Sequence, residues 1–142
     1  MHKLFTKSLA ALLLLAAACN SAGSDATGDV AEPVDATVEG DDGLLTFEIE
    51  SDEPLAEGRN DFTVRVLHDG QPFTASSISA TVAMASMTHG STSAEISDLG
   101  AGTYGLRDVE LSMPGEWRLS LFAENGETLK IRDTAALVLD VP

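Results

Sequence analysis

Residues 129–141 read LKIRDTAALVLDV, and Leu129, Ile131, Ala135, Leu137, Leu139 and Val141 share one parity over these 13 residues. Successive side chains of a β-strand point to opposite faces, so an apolar period of two marks a strand with one buried face. Arg132 and Asp133, within this run, read as a solvated turn or edge. The same alternation recurs upstream. Trp117, Leu119 and Leu121 alternate with Arg118 and Ser120. Ile78, Ala80, Val82 and Met84 share a parity, as do Phe62, Val64 and Val66, and Leu45, Phe47 and Ile49. A short strand is expected around 94–97. Tyr104 and Leu106 share a face, whereas Val109, Leu111 and Met113 take the other parity, which predicts a β-bulge near Arg107-Asp108. Trp117, on the inward parity, reads as a core anchor.

Turn dipeptides separate these runs: Glu57-Gly58, Asp69-Gly70, Gly100-Ala101-Gly102, Pro114-Gly115 and Asn125-Gly126. No window carries a helical period. The expected fold is all-β, an immunoglobulin-like β-sandwich of about seven strands over 43–142. The segment Gly102-Thr103-Tyr104 resembles a tyrosine corner without the disulfide.

Upstream the composition changes. Residues 19–42 contain seven acids, no base and no aromatic, and three Val are the only large aliphatics. Such a segment buries too little apolar surface to offset its ordering entropy, so it reads as a disordered acidic tether. Residues 1–18 carry Lys3 and Lys7 and then the apolar run LAALLLLAAA. A basic start and a short apolar stretch make a secretory signal peptide, too short for an ordinary membrane span. Ala16-Ala17-Ala18-Cys19 resembles a bacterial lipobox, with Ala16 where Leu is usual. That resemblance implies cleavage before Cys19, lipidation of its thiol and a membrane-anchored lipoprotein of the cell envelope.

The chain of 142 residues has 23 acidic and 8 basic side chains and a formal charge of −15. One domain is the expectation at this length. Only six Lys or Arg follow the first ten residues, so nucleic acid is excluded as a partner. The high charge favours a monomer. The single cysteine excludes an intramolecular disulfide framework and, once lipidated, a thiolate copper site. Ser91, Ser93, His89 and Asp98 contain the ingredients of a hydrolytic triad, but no nucleophile-elbow motif surrounds either serine, so an enzyme is not expected.

The chemistry that stands out is sulfur and imidazole. Met84, Met87 and His89 fall within six residues, and Met113 follows in LSMPGEW. Thioethers are soft donors and imidazole suits copper, so this set favours Cu(I) over zinc. Methionine is also a common core filler, and Met84 and Met113 carry core parity. Met87 and His89 lie in a Ser/Thr/Gly-rich loop, where packing gives methionine no evident role. Strand directions alternating through 78–85, 94–98 and 109–113 bring Met84 and Met113 to the same pole. His68, in the turn His-Asp-Gly, reads as exposed and a poor ligand candidate.

These motifs, MASMTHG (84–90), GAGTYGL (100–106) and LSMPGEWRLSLF (111–122), follow GRNDFTVRVLHDGQPFTASSISATVAM (58–84). In this order they resemble the FixH/YtkA-like family of small exported domains, over roughly residues 43–140. Ala85 stands where the family usually has Pro, and Thr88 where Gly is common. The resemblance implies an immunoglobulin-like fold and, in several branches, copper delivery to respiratory oxidases. Carried onto this chain, the implied ligands are Met84, Met87, His89 and Met113, and the implied cargo is copper as Cu(I). The expectation is a lipid-anchored Cu(I) carrier serving a copper-accepting protein such as a respiratory oxidase subunit, or copper homeostasis. The alternatives are a non-metal protein-interaction module and a structural envelope lipoprotein.

Overall fold

The computed structural model describes residues 31–87, 90–126 and 130–142. Among these are ten strands: β1 (Pro33–Glu39), β2 (Thr46–Pro54), β3 (Gly58–His68), β4 (Gln71–Pro72), β5 (Ser77–Met84), β6 (Ser91–Ser93), β7 (Glu95–Gly100), β8 (Thr103–Leu111), β9 (Gly115–Asn125) and β10 (Ile131–Val141). All pairings are antiparallel. One sheet runs β1-β2-β3-β8-β7, with β4 paired to β3, and the other runs β10-β9-β5-β6. The architecture is the expected immunoglobulin-like sandwich, with ten described strands where about seven are expected and with β1 upstream of residue 43.

The parity of each strand decides what enters the core. Phe47, Ile49, Phe62, Val64, Val66, Leu106, Val109 and Leu111 from the first sheet meet Val82, Trp117, Leu119, Leu121, Ala135, Leu139 and Val141 from the second, all buried. Tyr104 is buried as well, and its hydroxyl accepts the N–H of Ala75 at 2.8 Å. The bulge lies where the change of parity puts it. Phe62 pairs with Leu106 and Asn60 with Val109, so β8 carries one residue more than β3 across this interval. Asp108 has φ 53° there. Asp61 accepts the Asp108 N–H at 3.0 Å and the Arg107 guanidinium at 3.1 Å. The short strand expected at 94–97 is β7, and a further short strand, β6, precedes it. The chain changes sheets at Ala94, so β6 pairs with β5 and β7 with β8.

Two expectations are corrected. The acidic tether does not extend to residue 42, because Pro33–Glu39 pairs with β2 as an edge strand. Val34, Ala36 and Val38 are half-buried on its inner side, and Pro33, Asp35, Thr37 and Glu39 face solvent. Acids on an exposed edge block further strand addition, which reconciles strand and composition. Residues 1–30, with Cys19 and the signal segment, lie outside the described residues.

Asp133 is the second correction. It is not on a solvated turn but 2% exposed, on the inward parity of β10. Its carboxylate accepts backbone N–H groups from Asp42 (2.9 Å), Leu44 (2.8 Å), Leu45 (3.0 Å) and Thr134 (2.8 Å). Burial would raise its pKa, but these bonds to the ionised form outweigh that and hold it below the ordinary carboxylate value. Gly40 is buried against it, and a Cβ at that position would fall on the carboxylate. The β1–β2 loop is thereby fastened across the sandwich to β10.

The pairings define two poles. Pro33 pairs with Pro54, Gly58 with Leu111, and Gly115 with Val141. The start of β1, the end of β2, the start of β3, the end of β8, the start of β9 and the end of β10 therefore share one pole. Met84, last in β5, pairs with Trp117 near the start of β9 and joins them. The Asp133 clamp lies toward the other pole.

Candidate functional site

The first pole gathers the three described candidate methionines. Met84 continues the inward row of Ala80 and Val82 but is only half-buried, because the sheet ends there. A tight turn follows: the Met87 N–H donates to the Met84 carbonyl at 3.1 Å, and the Ala85 N–H donates to the Glu116 carbonyl at 2.9 Å. This turn leaves Met87 51% exposed. Ser91 pairs with Ala83, so both ends of the intervening loop are held at this pole.

Met113 arrives from the opposite sheet. Its parity predicted an extension of the Val109 and Leu111 row, but β8 ends at Leu111 and Met113 is 38% exposed in the turn to β9. Pro114, which has no N–H, fits that break in the ladder. The Met113 carbonyl accepts the indole Nε1–H of Trp117 at 3.0 Å. The turn carrying Met113 is thus tied to a tryptophan that is 6% exposed and the sole tryptophan of the chain. Gly115 (φ 122°) completes the arrangement, since a Cβ on it would lie 3.1 Å from Cε of Met84. The strand directions do bring Met84 and Met113 to one end, with Met87 in the adjoining turn.

His89 and Thr88 lie outside the described residues, as does the candidate lipidation site Cys19. Among the described residues no three His, Cys, Asp or Glu side chains stand together as a metal site would need. The candidate donors described at this pole are the thioethers of Met84, Met87 and Met113, soft and with no proton to displace. The donor set fits a soft monovalent ion and does not fit a hard one. Met84 is partly buried, and Met87 and Met113 are exposed in the two turns at the same pole.

The lesser candidates are occupied elsewhere. His68 is not simply exposed: its Nδ1 lies 2.9 Å from the Leu44 carbonyl, and its ring stands edge-on to Phe73 at 6.2 Å. A carbonyl only accepts, so that nitrogen carries the proton. His68 ends β3, at the pole away from the methionines. Asp98 accepts the Gly100 N–H at 2.8 Å and serves a turn.

Asp133, which reads as solvated in the sequence, is the one buried charged side chain among the described residues. Its one local signal is an acid on the apolar parity of a long strand.

The YtkA-like family pattern matches residues 41–122, more than half of the chain. No curated protein matches. A DUF4785 family protein from Legionella pneumophila, solved as a crystal structure, is similar with a TM-score of 0.55 and 12% identity. The likeness covers 69% of this chain and 29% of that protein, so this chain spans less than a third of its length. At that identity the likeness shows the fold alone.

Proposed function

The chain belongs to the YtkA-like family, and we propose that it carries Cu(I) at the methionine pole. The observation that supports this reading is the exposure of Met87 (51%) and Met113 (38%) at the same end of the sandwich as Met84. Exposed thioethers contribute little to a core, so packing leaves their presence in two converging turns without a purpose. Met84, Met87 and Met113 would hold the ion as soft sulfur donors, and His89 would add a borderline nitrogen.

The cargo is Cu(I), and the protein's contribution is an arrangement that binds and releases it. Met84 is backed by Gly115 and the strand pairing to Trp117, which gives one fixed donor. Met87 and Met113 face solvent, where a recipient's ligands can displace them one at a time. Thioethers have no proton to lose, so only His89 would make binding pH-dependent. In this reading the protein is a lipid-anchored carrier of the cell envelope, attached through Cys19. Its recipient is a copper-accepting protein such as a respiratory oxidase subunit.

The test is a Cu(I) titration of the Cys19→Ser chain against a chromophoric Cu(I) chelator under reducing conditions. Emission of Trp117 is followed in parallel, because its indole is bonded to the Met113 backbone. One equivalent of bound Cu(I), with a change in that emission, is expected. Failure of the protein to compete with the chelator would sink the carrier reading.

A further inference from the structure

We infer that Met87 and Met113, exposed at one pole of the sandwich, are oxidation sites, and that their conversion to sulfoxides by a hydroperoxide switches off the soft metal site. The inference rests on the carrier reading for its consequence, though not for the modification itself. The two side chains are 51% and 38% exposed, whereas Met84 is half-buried with its methyl against Gly115. Oxidation of methionine follows the access of the oxidant to sulfur. The fold therefore offers two thioethers to peroxide more openly than the third, Met87 most of all.

The step balances with peroxide as the only co-reactant. A sulfur lone pair attacks one peroxide oxygen, the O–O bond breaks, and the leaving oxyanion takes a proton. Sulfur loses two electrons to give the sulfoxide, and hydrogen peroxide is reduced to water. A sulfoxide reductase, drawing two electrons from thiols, returns the thioether and releases the oxygen as water.

The sulfoxide binds metals through a hard oxygen, and its sulfur is no longer the donor that Cu(I) prefers. Two of the three described thioethers are lost, and the inner Met84 remains. The backbone that positions the site is untouched, because the Trp117 indole is bonded to the Met113 carbonyl and not to its side chain. Oxidation thus changes the ligands while preserving the fold.

The experiment uses the full chain carrying Cys19→Ser, so that no thiol oxidises or binds metal. Metal-free protein is treated with hydrogen peroxide, the peroxide is removed with catalase, and sulfoxides are mapped by peptide mass. Cu(I) affinity is then measured by chelator competition, beside an untreated sample and a Met87→Leu/Met113→Leu variant. Met87 and Met113 should both oxidise faster than Met84, with Met87 the fastest. Affinity should fall by at least about tenfold, to that of the double variant, with an unchanged Tm. Oxidation of Met84 at the rate of Met87 would overturn the selective site. Selective oxidation with undiminished Cu(I) affinity would overturn the switch alone. Absence of binding by the untreated chain would overturn the carrier reading and the switch together, while the mass map still decides the modification.

Discussion

The carboxylate of Asp133, near the start of the last strand, accepts the backbone N–H of Leu45 at 3.0 Å from the mouth of the opposite sheet. Leu45 is 1% exposed, so this N–H has no access to water. Asp42 and Leu44 donate to the same carboxylate. Three donors of one loop therefore depend on one side chain.

Replacing that side chain by the isosteric amide tests the clamp. Asp133→Asn keeps one acceptor oxygen and turns an N–H₂ group toward backbone donors. It should cost roughly 2–3 kcal/mol, read as a lower midpoint in urea unfolding. The pH dependence has a definite sign. The folded pKa lies below the ordinary 3.8, so the unfolded chain binds the proton first. The contribution of Asp133 is complete above about pH 5 and is lost as the pH falls through the lowered native value. Wild type and Asp133→Asn should converge in stability on acidification, and a constant gap would contradict the clamp.

Asp61 supplies a milder case at the surface. It accepts the Asp108 N–H inside the bulge and an Arg107 guanidinium bond, and the backbone bond is the chief reason its pKa is lowered. Asp61→Ala removes both bonds and should cost about 1 kcal/mol, since the site is solvated. Asp61→Asn keeps an acceptor for the backbone and should cost about half as much. Thermal unfolding of the two variants decides whether the backbone bond or the ion pair holds the bulge.

Gly115 links the site to the fold. Gly115→Ala places a Cβ at φ 122°, 3.1 Å from the Met84 methyl. The strained backbone should cost about 1–3 kcal/mol. The methyl contact should also displace Met84, so Cu(I) affinity should fall along with the Tm. Loss of stability with full affinity would remove Met84 from the ligand set.

Met87→Leu and Met113→Leu separate binding from folding. Both side chains are exposed, so each change should alter stability by less than about 0.5 kcal/mol. Met113→Leu also keeps the carbonyl that accepts from Trp117. Together they should weaken Cu(I) binding by more than about tenfold. A large fall in Tm would show that these methionines serve the core.

Much of this was legible in the sequence because strand parity is a local signal. The shift between Leu106 and Val109 placed the bulge without any knowledge of Asp61, and the strand directions placed Met84 and Met113 at one end. β1 was obscured by its own acids. The alternation of Val34, Ala36 and Val38 is present, but its outer positions are those of a charged edge and the composition reads as disorder. Asp133 was illegible for another reason. Parity turned it inward while charge argued outward, and the deciding partners lie 88 to 91 residues away in sequence. For Met113, parity continued past the point where the turn at Pro114 ends the ladder.

The start of β1 lies at the same pole as the three methionines, because Pro33 pairs with Pro54 beside the β2–β3 turn. Whatever holds the chain upstream of Ala31 therefore holds it by its sulfur-bearing end. The end with Met87 and Met113 is then the nearer of the two to Pro33, where the described chain enters the sheet, and the end with the Asp133 clamp is the farther.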